Sequence, residues 1–366
     1  MRSASMGWTR QECSIFSGKT AKDAGRITMT ELAAPRSSRG PSVTFLPDGT
    51  THIVDLHVPL PTSISAAAAN MIRLRNSLPD PTNGLTAPIE IERKFYDEAQ
   101  AILEAQLLEM YAVSVESVTV GGVPGRLVTP RDLAPGTHGQ LLVNLHGGAF
   151  KLGARSIAEA VPIAARTGLP VLAVDYRLAP EHSYPAAVDD TVAAYRALLE
   201  TRAAKDIAIY GSSAGAVLAA QAVVRARQLA LPLPAAIGFF SGTADFTRTG
   251  DTEALFGVIG LAPRVTTVLE QARGYLADAH LSDPVLSPIH ANLDGFPPTL
   301  CMSGTRDFFL SGTCNFHRAL LCVDVDARLV VFDAMPHVHW TKYPELLETT
   351  EALDIQARFL TEHLSS

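Results

Sequence analysis

Gly211-Ser212-Ser213-Ala214-Gly215 is the stretch that decides the fold, because it joins a predicted strand directly to a predicted helix. The apolar run at 207–210 predicts a buried strand, and the Ala- and Val-rich run at 216–227 predicts a helix. A tight turn between them would expose Ser213 and point the helix N-terminus at a reacting group. A Cβ atom in place of either glycine would crowd the turn or the neighbouring strand. The stretch therefore suggests a nucleophilic serine, although small residues also occur in many ordinary strand–helix turns.

Strands and helices alternate along the chain after Val113. Two runs, at 113–120 and 126–129, flank Gly121-Gly122 and predict an antiparallel pair. The later predicted strands are short and apolar, at 140–145, 170–174, 206–210, 235–240, 299–303 and 327–332. Predicted helices lie between several of them, at 157–166, 186–199 and 214–227. This alternation predicts an α/β fold with a mostly parallel central sheet and helices on both faces.

The rest of the chain suggests a tail, a cap and an insertion. Residues 1–40 are predicted to be a disordered tail. Residues 41–112 are predicted to form an N-terminal cap element, with a short hairpin around Pro47-Asp48-Gly49, a helix capped by Ser65 and a helix at about 89–110. The catalytic domain is predicted to comprise 113–240 and 283–366. A helical insertion at 241–282 would complete the cap.

Composition limits the class of protein. The net charge of −7 over 366 residues disfavours a nucleic-acid-binding surface. The four cysteines lack CxxC or disulfide-like spacing, which is typical of reduced thiols in a cytoplasm. The basic N-terminus lacks the apolar centre of a secretory signal, and the uncharged run at 207–224 is interrupted by its glycines. We therefore expect a cytoplasmic protein without stable membrane insertion.

A second glycine-containing motif, His146-Gly147-Gly148-Ala149-Phe150, follows the predicted strand at 140–145. Adjacent glycines allow backbone N–H groups to turn towards a developing oxyanion. With this loop, the Ser213 turn and the segment 175–190 (DYRLAPEHSYPAAVDD), the chain resembles the hormone-sensitive-lipase family of α/β-hydrolases, in its bacterial esterase branch. The similarity covers about residues 113–366.

The chain departs from the family pattern at two positions. The family usually has a third glycine in the loop, where this chain has Ala149, and an aspartate before the nucleophile, where it has Ser212. Both donor glycines of the loop are kept. We therefore expect the second change to alter how the nucleophile turn is braced, without removing a reacting group.

The resemblance implies a Ser-Asp-His triad. Ser213 is the expected nucleophile. Asp307 follows the predicted strand at 299–303 and matches the family's acid, while His337 follows 327–332 and matches its base. His339 is the alternative base.

The resemblance also implies roles for residues around the triad. The expected oxyanion hole consists of the Gly147, Gly148 and Ala214 N–H groups. Arg177 and Glu181 are predicted to form an ion pair that braces the loops. The adjacent phenylalanines 239 and 240 are predicted to lie near an apolar acyl pocket.

The function implied is that of a serine carboxylesterase that hydrolyses short- to medium-chain acyl esters through an acyl-enzyme intermediate. No cofactor or metal is expected, because no nucleotide-binding loop or cluster of metal ligands is present. An amidase, lactonase or carbamate hydrolase with the same triad is an alternative, as is a non-catalytic small-molecule receptor of the same fold. The expected partner is a small ester substrate, and a homodimer through the strand at 327–332 is a further expectation.

Overall fold

The computed structural model of the chain describes residues 42–54, 57–77, 88–260, 269 and 272–364. The chain divides into two units, Met1–Pro59 and Leu60–Ser366. In the first unit, β1 (Ser42–Phe45) and β2 (Thr51–Val54) form the predicted antiparallel hairpin. The tail predicted at 1–40 lies outside the described residues. The division into tail, cap and catalytic domain stays a prediction.

An eight-stranded sheet forms the centre of the second unit. Its strands are β3 (Val113–Val120), β4 (Val123–Pro130), β5 (Leu141–Leu145), β6 (Val171–Val174), β7 (Ile207–Ser212), β8 (Ala236–Phe240), β9 (Thr299–Arg306) and β10 (Ala327–Pro336). Their order across the sheet is β10-β9-β8-β7-β5-β6-β4-β3. The strands from β10 to β6 are parallel, whereas β4 and β3 pair antiparallel at one edge. The predicted mostly parallel sheet is confirmed.

Helices cover both faces of this sheet. The described helices of the second unit are α1 (Ala66–Ser77), α2 (Ile89–Met110), α3 (Ala160–Thr167), α4 (Ala186–Leu199), α5 (Ala214–Gln228), α6 (Asp251–Gly260), α7 (Arg273–Leu276), α8 (Leu310–Leu321), α9 (His339–Lys342) and α10 (Leu347–Glu362). Neighbouring residues of β5 belong to different cores, because Leu141 and Val143 pack on one face and Leu142 on the other. Strands buried on both faces have mostly apolar sequences, which is why β5, β7 and β8 could be predicted from the sequence.

The last two strands extend further than the sequence predicted. Strand β9 continues to Arg306 and β10 to Pro336. The register of β10 against β9 shifts between Phe332 and Pro336, where Ala334 has a positive φ of 54°. Because the two parallel strands are adjacent, the residues that follow them emerge side by side at the carboxyl edge of the sheet.

None of the helices in the described ranges is both long enough and apolar enough to span a membrane.

Candidate active site

Ser213 lies in a strained turn between β7 and α5. Its backbone has φ 58° and ψ −121°, a sparsely populated conformation for a residue with a side chain, which costs on the order of 1–3 kcal/mol. A Cβ atom on Gly215 would lie 1.8 Å from the Leu145 carbonyl oxygen, and one on Gly211 would lie 2.3 Å from the same atom. Both positions therefore require glycine, as the sequence predicted, because β5 passes too close to the turn.

The structure brings the three predicted triad residues together. His337 Nε2 lies 2.9 Å from Ser213 Oγ, and His337 Nδ1 lies 2.9 Å from Asp307 Oδ1. These residues follow β7, β9 and β10, at the carboxyl edge of the parallel strands. The Phe308 ring lies 4.3 Å from the imidazole centre and packs against it. A hydroxyl, an imidazole and a carboxylate in this order can generate a serine nucleophile.

Asp307 is fully buried and accepts four hydrogen bonds. Oδ1 accepts from His337 and from the Phe309 N–H (2.9 Å), and Oδ2 accepts from the hydroxyls of Ser303 (2.9 Å) and Ser241. Burial by itself would raise the pKa of Asp307, but the adjacent His337 and these hydrogen bonds outweigh it and lower the pKa. The carboxyl group is therefore ionised and fixed in orientation.

His339, the alternative base, lies elsewhere. It is fully buried, its ring packs edge-on against Phe332 and Trp340, and its Nε2 lies 3.4 Å from the Glu348 carbonyl oxygen. Burial lowers the pKa of His339 to about 4, so the imidazole is neutral at physiological pH. His339 therefore contributes to packing, whereas His337 contacts the serine.

The loop after β5 is folded against the nucleophile turn. Gly148 has a φ of 119° and Ala149 a φ of 53°, so the alanine adopts a left-handed conformation where the family has its third glycine. A Cβ atom on Gly147 would lie 3.4 Å from Ser213 Cβ. The Gly147 N–H, predicted to face an oxyanion, instead donates to Glu159 Oε1 at 3.2 Å. That hydrogen bond disfavours Gly147 as a donor to substrate and leaves Gly148 and Ala214 as predicted donors.

Ser212 is braced by residues that the sequence analysis missed. Its Oγ accepts a hydrogen bond from Trp340 Nε1 at 3.0 Å, and its hydroxyl also faces the carboxyl group of Glu159. Neither partner is close in sequence to the nucleophile, and no local motif marks them. The nucleophile turn is therefore braced at Ser212 by Trp340 on α9 and by Glu159, the residue just before α3.

The predicted ion pair between Arg177 and Glu181 is wrong. Arg177 forms a bidentate ion pair with Asp190 on α4 (2.7 Å), which also accepts the Arg177 backbone N–H. Glu181 pairs with Arg93 on α2 through two bonds of 2.7 Å. Arg93 also donates to the Lys151 and Ala179 carbonyl oxygens (2.9 and 2.8 Å), so it fastens α2 to the loop beyond Ala149.

A cavity of about 630 Å³ opens beside Ser213. Apolar and aromatic side chains from α2, from the segment after β8 and from the loop after β9 contribute to its wall, among them Tyr96, Ile102, Leu103, Phe246, Phe308 and Phe309. Phenylalanines 239 and 240 lie close to the site, since the Phe240 carbonyl accepts the Ser213 N–H at 2.8 Å, but their side chains do not line the pocket because both are fully buried in the cores on the two faces of β8. The cavity is large enough for a small organic molecule.

Comparison with known proteins gives a consistent assignment. A family model described as the α/β hydrolase fold matches residues 142–341. An acetyl-hydrolase from Streptomyces hygroscopicus is 32% identical over 278 residues, covering 74% of this chain and 89% of the relative. An esterase from Acinetobacter venetianus is 32% identical, covering 61% and 74%.

Solved structures give the same picture. Esterase E25 has a TM-score of 0.77 with 33% identity, over 86% of this chain and 99% of that one. An esterase from the bacterial hormone-sensitive lipase family has a TM-score of 0.70 with 32% identity, over 82% and 97%. The chain therefore belongs to the α/β-hydrolase family and, within it, to the bacterial hormone-sensitive-lipase branch of carboxylic ester hydrolases.

Proposed function

We propose that the protein is a serine carboxylesterase that hydrolyses short- to medium-chain acyl esters through an acyl-enzyme intermediate. The observation that carries this proposal is the continuous hydrogen-bonded chain from Ser213 Oγ through His337 to Asp307 at the wall of an apolar cavity. A receptor that only binds a ligand would not need such a chain.

Acylation begins when Ser213 Oγ attacks the ester carbonyl carbon and His337 Nε2 takes the hydroxyl proton. The charge that develops on the carbonyl oxygen is stabilised by the Gly148 and Ala214 N–H groups and by the N-terminus of α5. Asp307 stabilises the imidazolium and holds its tautomer. His337 then protonates the leaving alcohol, and the Ser213 ester remains.

Deacylation reverses these roles. His337 removes a proton from water, the hydroxide attacks the Ser213 ester, and the same N–H groups stabilise the second oxyanion. The carboxylic acid leaves and Ser213 regains its proton from His337. The free enzyme is restored without any external cofactor.

The cavity supports a preference for short to medium acyl chains. Its volume of about 630 Å³ and its aromatic lining suit a compact apolar group. The solved relative soaked with p-nitrophenyl butyrate is consistent with such substrates. We also propose that the protein forms a homodimer through the edge strand β10. We propose a cytoplasmic location as well, where the three cysteines in the described residues, which are free, would stay reduced.

An acyl-chain series of p-nitrophenyl esters tests this function. We expect kcat/KM to be highest for short and medium chains and to fall for long chains, and Ser213→Ala to abolish turnover while the circular dichroism spectrum is retained. A folded Ser213→Ala variant that keeps most of its turnover would overturn the serine mechanism. A preference for matched amides or lactones would instead replace the substrate class.

A further inference from the structure

Glu159 is a buried acid for which the mechanism above has no use. It immediately precedes α3, but its side chain does not cap that helix. Instead, it contributes to the wall of the catalytic cavity and is 9% exposed. None of the ion pairs among the described residues includes Glu159, so its charge has no cationic partner there. A buried carboxyl group of this kind is costly unless other polar groups stabilise it.

Those polar groups come from two catalytic segments. Glu159 Oε1 accepts the Gly147 N–H of the loop after β5 at 3.2 Å. The hydroxyl of Ser212, the residue before the nucleophile, also interacts with the carboxyl group, and the Asn144 amide at the end of β5 lies beside it. Glu159 therefore joins the predicted oxyanion loop to the nucleophile turn.

Burial raises the pKa of Glu159 to about 7, although its interactions with Ser212, Gly147 and Asn144 favour the ionised form. The charge of Glu159 acts on Tyr96 on α2, Tyr176 after β6 and Tyr210 on β7. His146 after β5 and Lys342 on α9 line the same cavity. Burial lowers the pKa of His146 and raises the pKa of each tyrosine, so these neighbours are neutral near pH 7. Desolvation also lowers the pKa of Lys342 to about 8, so Glu159 is the acid of this group that titrates in the neutral range, and Lys342 remains protonated below that range.

We propose that Glu159 is a positioning residue for ester hydrolysis, whose ionised carboxylate holds the oxyanion loop at Gly147 against the nucleophile turn at Ser212. The inference rests on the proposed serine mechanism. An ionised carboxylate accepts hydrogen bonds from both sides, whereas a protonated one must use one oxygen as a donor and holds the two segments less firmly. Turnover is therefore faster with Glu159 ionised than with Glu159 protonated.

The test compares wild type, Glu159→Gln and Glu159→Ala on p-nitrophenyl butyrate. We expect kcat to fall about ten- to hundredfold in Glu159→Ala, the loss expected when a hydrogen bond to a charged group is removed, with KM changed by less than about threefold. Glu159→Gln keeps an oxygen for the Gly147 N–H and should retain more activity than Glu159→Ala. The exposed Glu200→Gln change, at the end of α4, is the matched control for loss of one negative charge.

The pH profile separates positioning from a purely structural role. Protonation of Glu159 should lower kcat of wild type towards that of Glu159→Gln, so the ratio of the two kcat values should fall as pH is lowered through about 7. A ratio that stays constant with pH, or a folded Glu159→Ala with kcat within about twofold of wild type, would overturn the inference. Failure of Ser213→Ala to abolish turnover would instead overturn the serine mechanism itself.

Discussion

Asp307→Asn tests how much the buried carboxylate contributes to the reaction. The amide can keep its oxygen at the Oδ1 position, where it would still accept from His337 Nδ1 and the Phe309 N–H. Its NH₂ group would then face the hydroxyls of Ser241 and Ser303, which can rotate to accept. The variant should therefore fold and keep the imidazole tautomer, and lose only the negative charge.

The size of the loss follows from the geometry. With Nδ1 and Oδ1 2.9 Å apart, the centres of the imidazolium and carboxylate charges are about 4 Å apart, worth about 4 kcal/mol at an effective dielectric constant of about 20. That corresponds to a fall in kcat of about a thousandfold, with KM little changed. The assay is steady-state hydrolysis of p-nitrophenyl butyrate, with circular dichroism to check folding. Asp333→Asn, at a carboxylate on β10 bound by Ser63, is the matched control. A folded Asp307→Asn variant within tenfold of wild type would refute this reasoning.

Three further changes probe the surrounding structure. His337→Ala should lose at least about a thousandfold in kcat, whereas His339→Ala should lose much less; the reverse ranking would reassign the base. Arg93→Ala should raise KM by about tenfold with a smaller change in kcat, since α2 lines the cavity and loses four hydrogen bonds; an unchanged KM would contradict this role. Folding lowers the pKa of His339 from 6.5 to about 4. As pH falls from about 6.5 to 4, the free energy of unfolding of wild type should therefore decrease by about 3 kcal/mol more than that of His339→Phe. The sign follows because the unfolded chain binds the proton first as pH falls. If urea unfolding gave the same difference in free energy of unfolding between the two proteins at every pH in that range, this prediction would be refuted.

The sheet was predictable because its central strands are buried on both faces. Short, mostly apolar runs such as Leu141–Leu145 favour buried strands because they are too short for helices, and the glycine motifs after β5 and before α5 mark where the chain must turn tightly. The predicted place of Phe239 and Phe240 beside the acyl pocket did not take this burial into account. Because β8 is covered on both faces, neither side chain reaches the pocket.

The brace around the nucleophile could not be predicted, because its parts are far apart in sequence. Glu159 reaches Gly147 only through the packing of α3 on the sheet, and Trp340 reaches Ser212 only because β10 extends beyond Phe332. The ion-pair partner of Glu181 could not be predicted for the same reason, because Arg93 lies on α2, far away in the sequence. Sequence patterns report local conformation, whereas these contacts depend on the tertiary arrangement.

Covalent labelling of Ser213 is the most direct test of the account. Diethyl p-nitrophenyl phosphate should form a bond between Ser213 Oγ and phosphorus, with release of one p-nitrophenolate for each chain. We expect peptide mass spectrometry to place the diethyl phosphate on the peptide that contains Ser213, in step with loss of esterase activity, and to find no adduct on Ser213→Ala. An enzyme that loses its activity with the label on another residue, or that stays active with Ser213 fully labelled, would contradict the account.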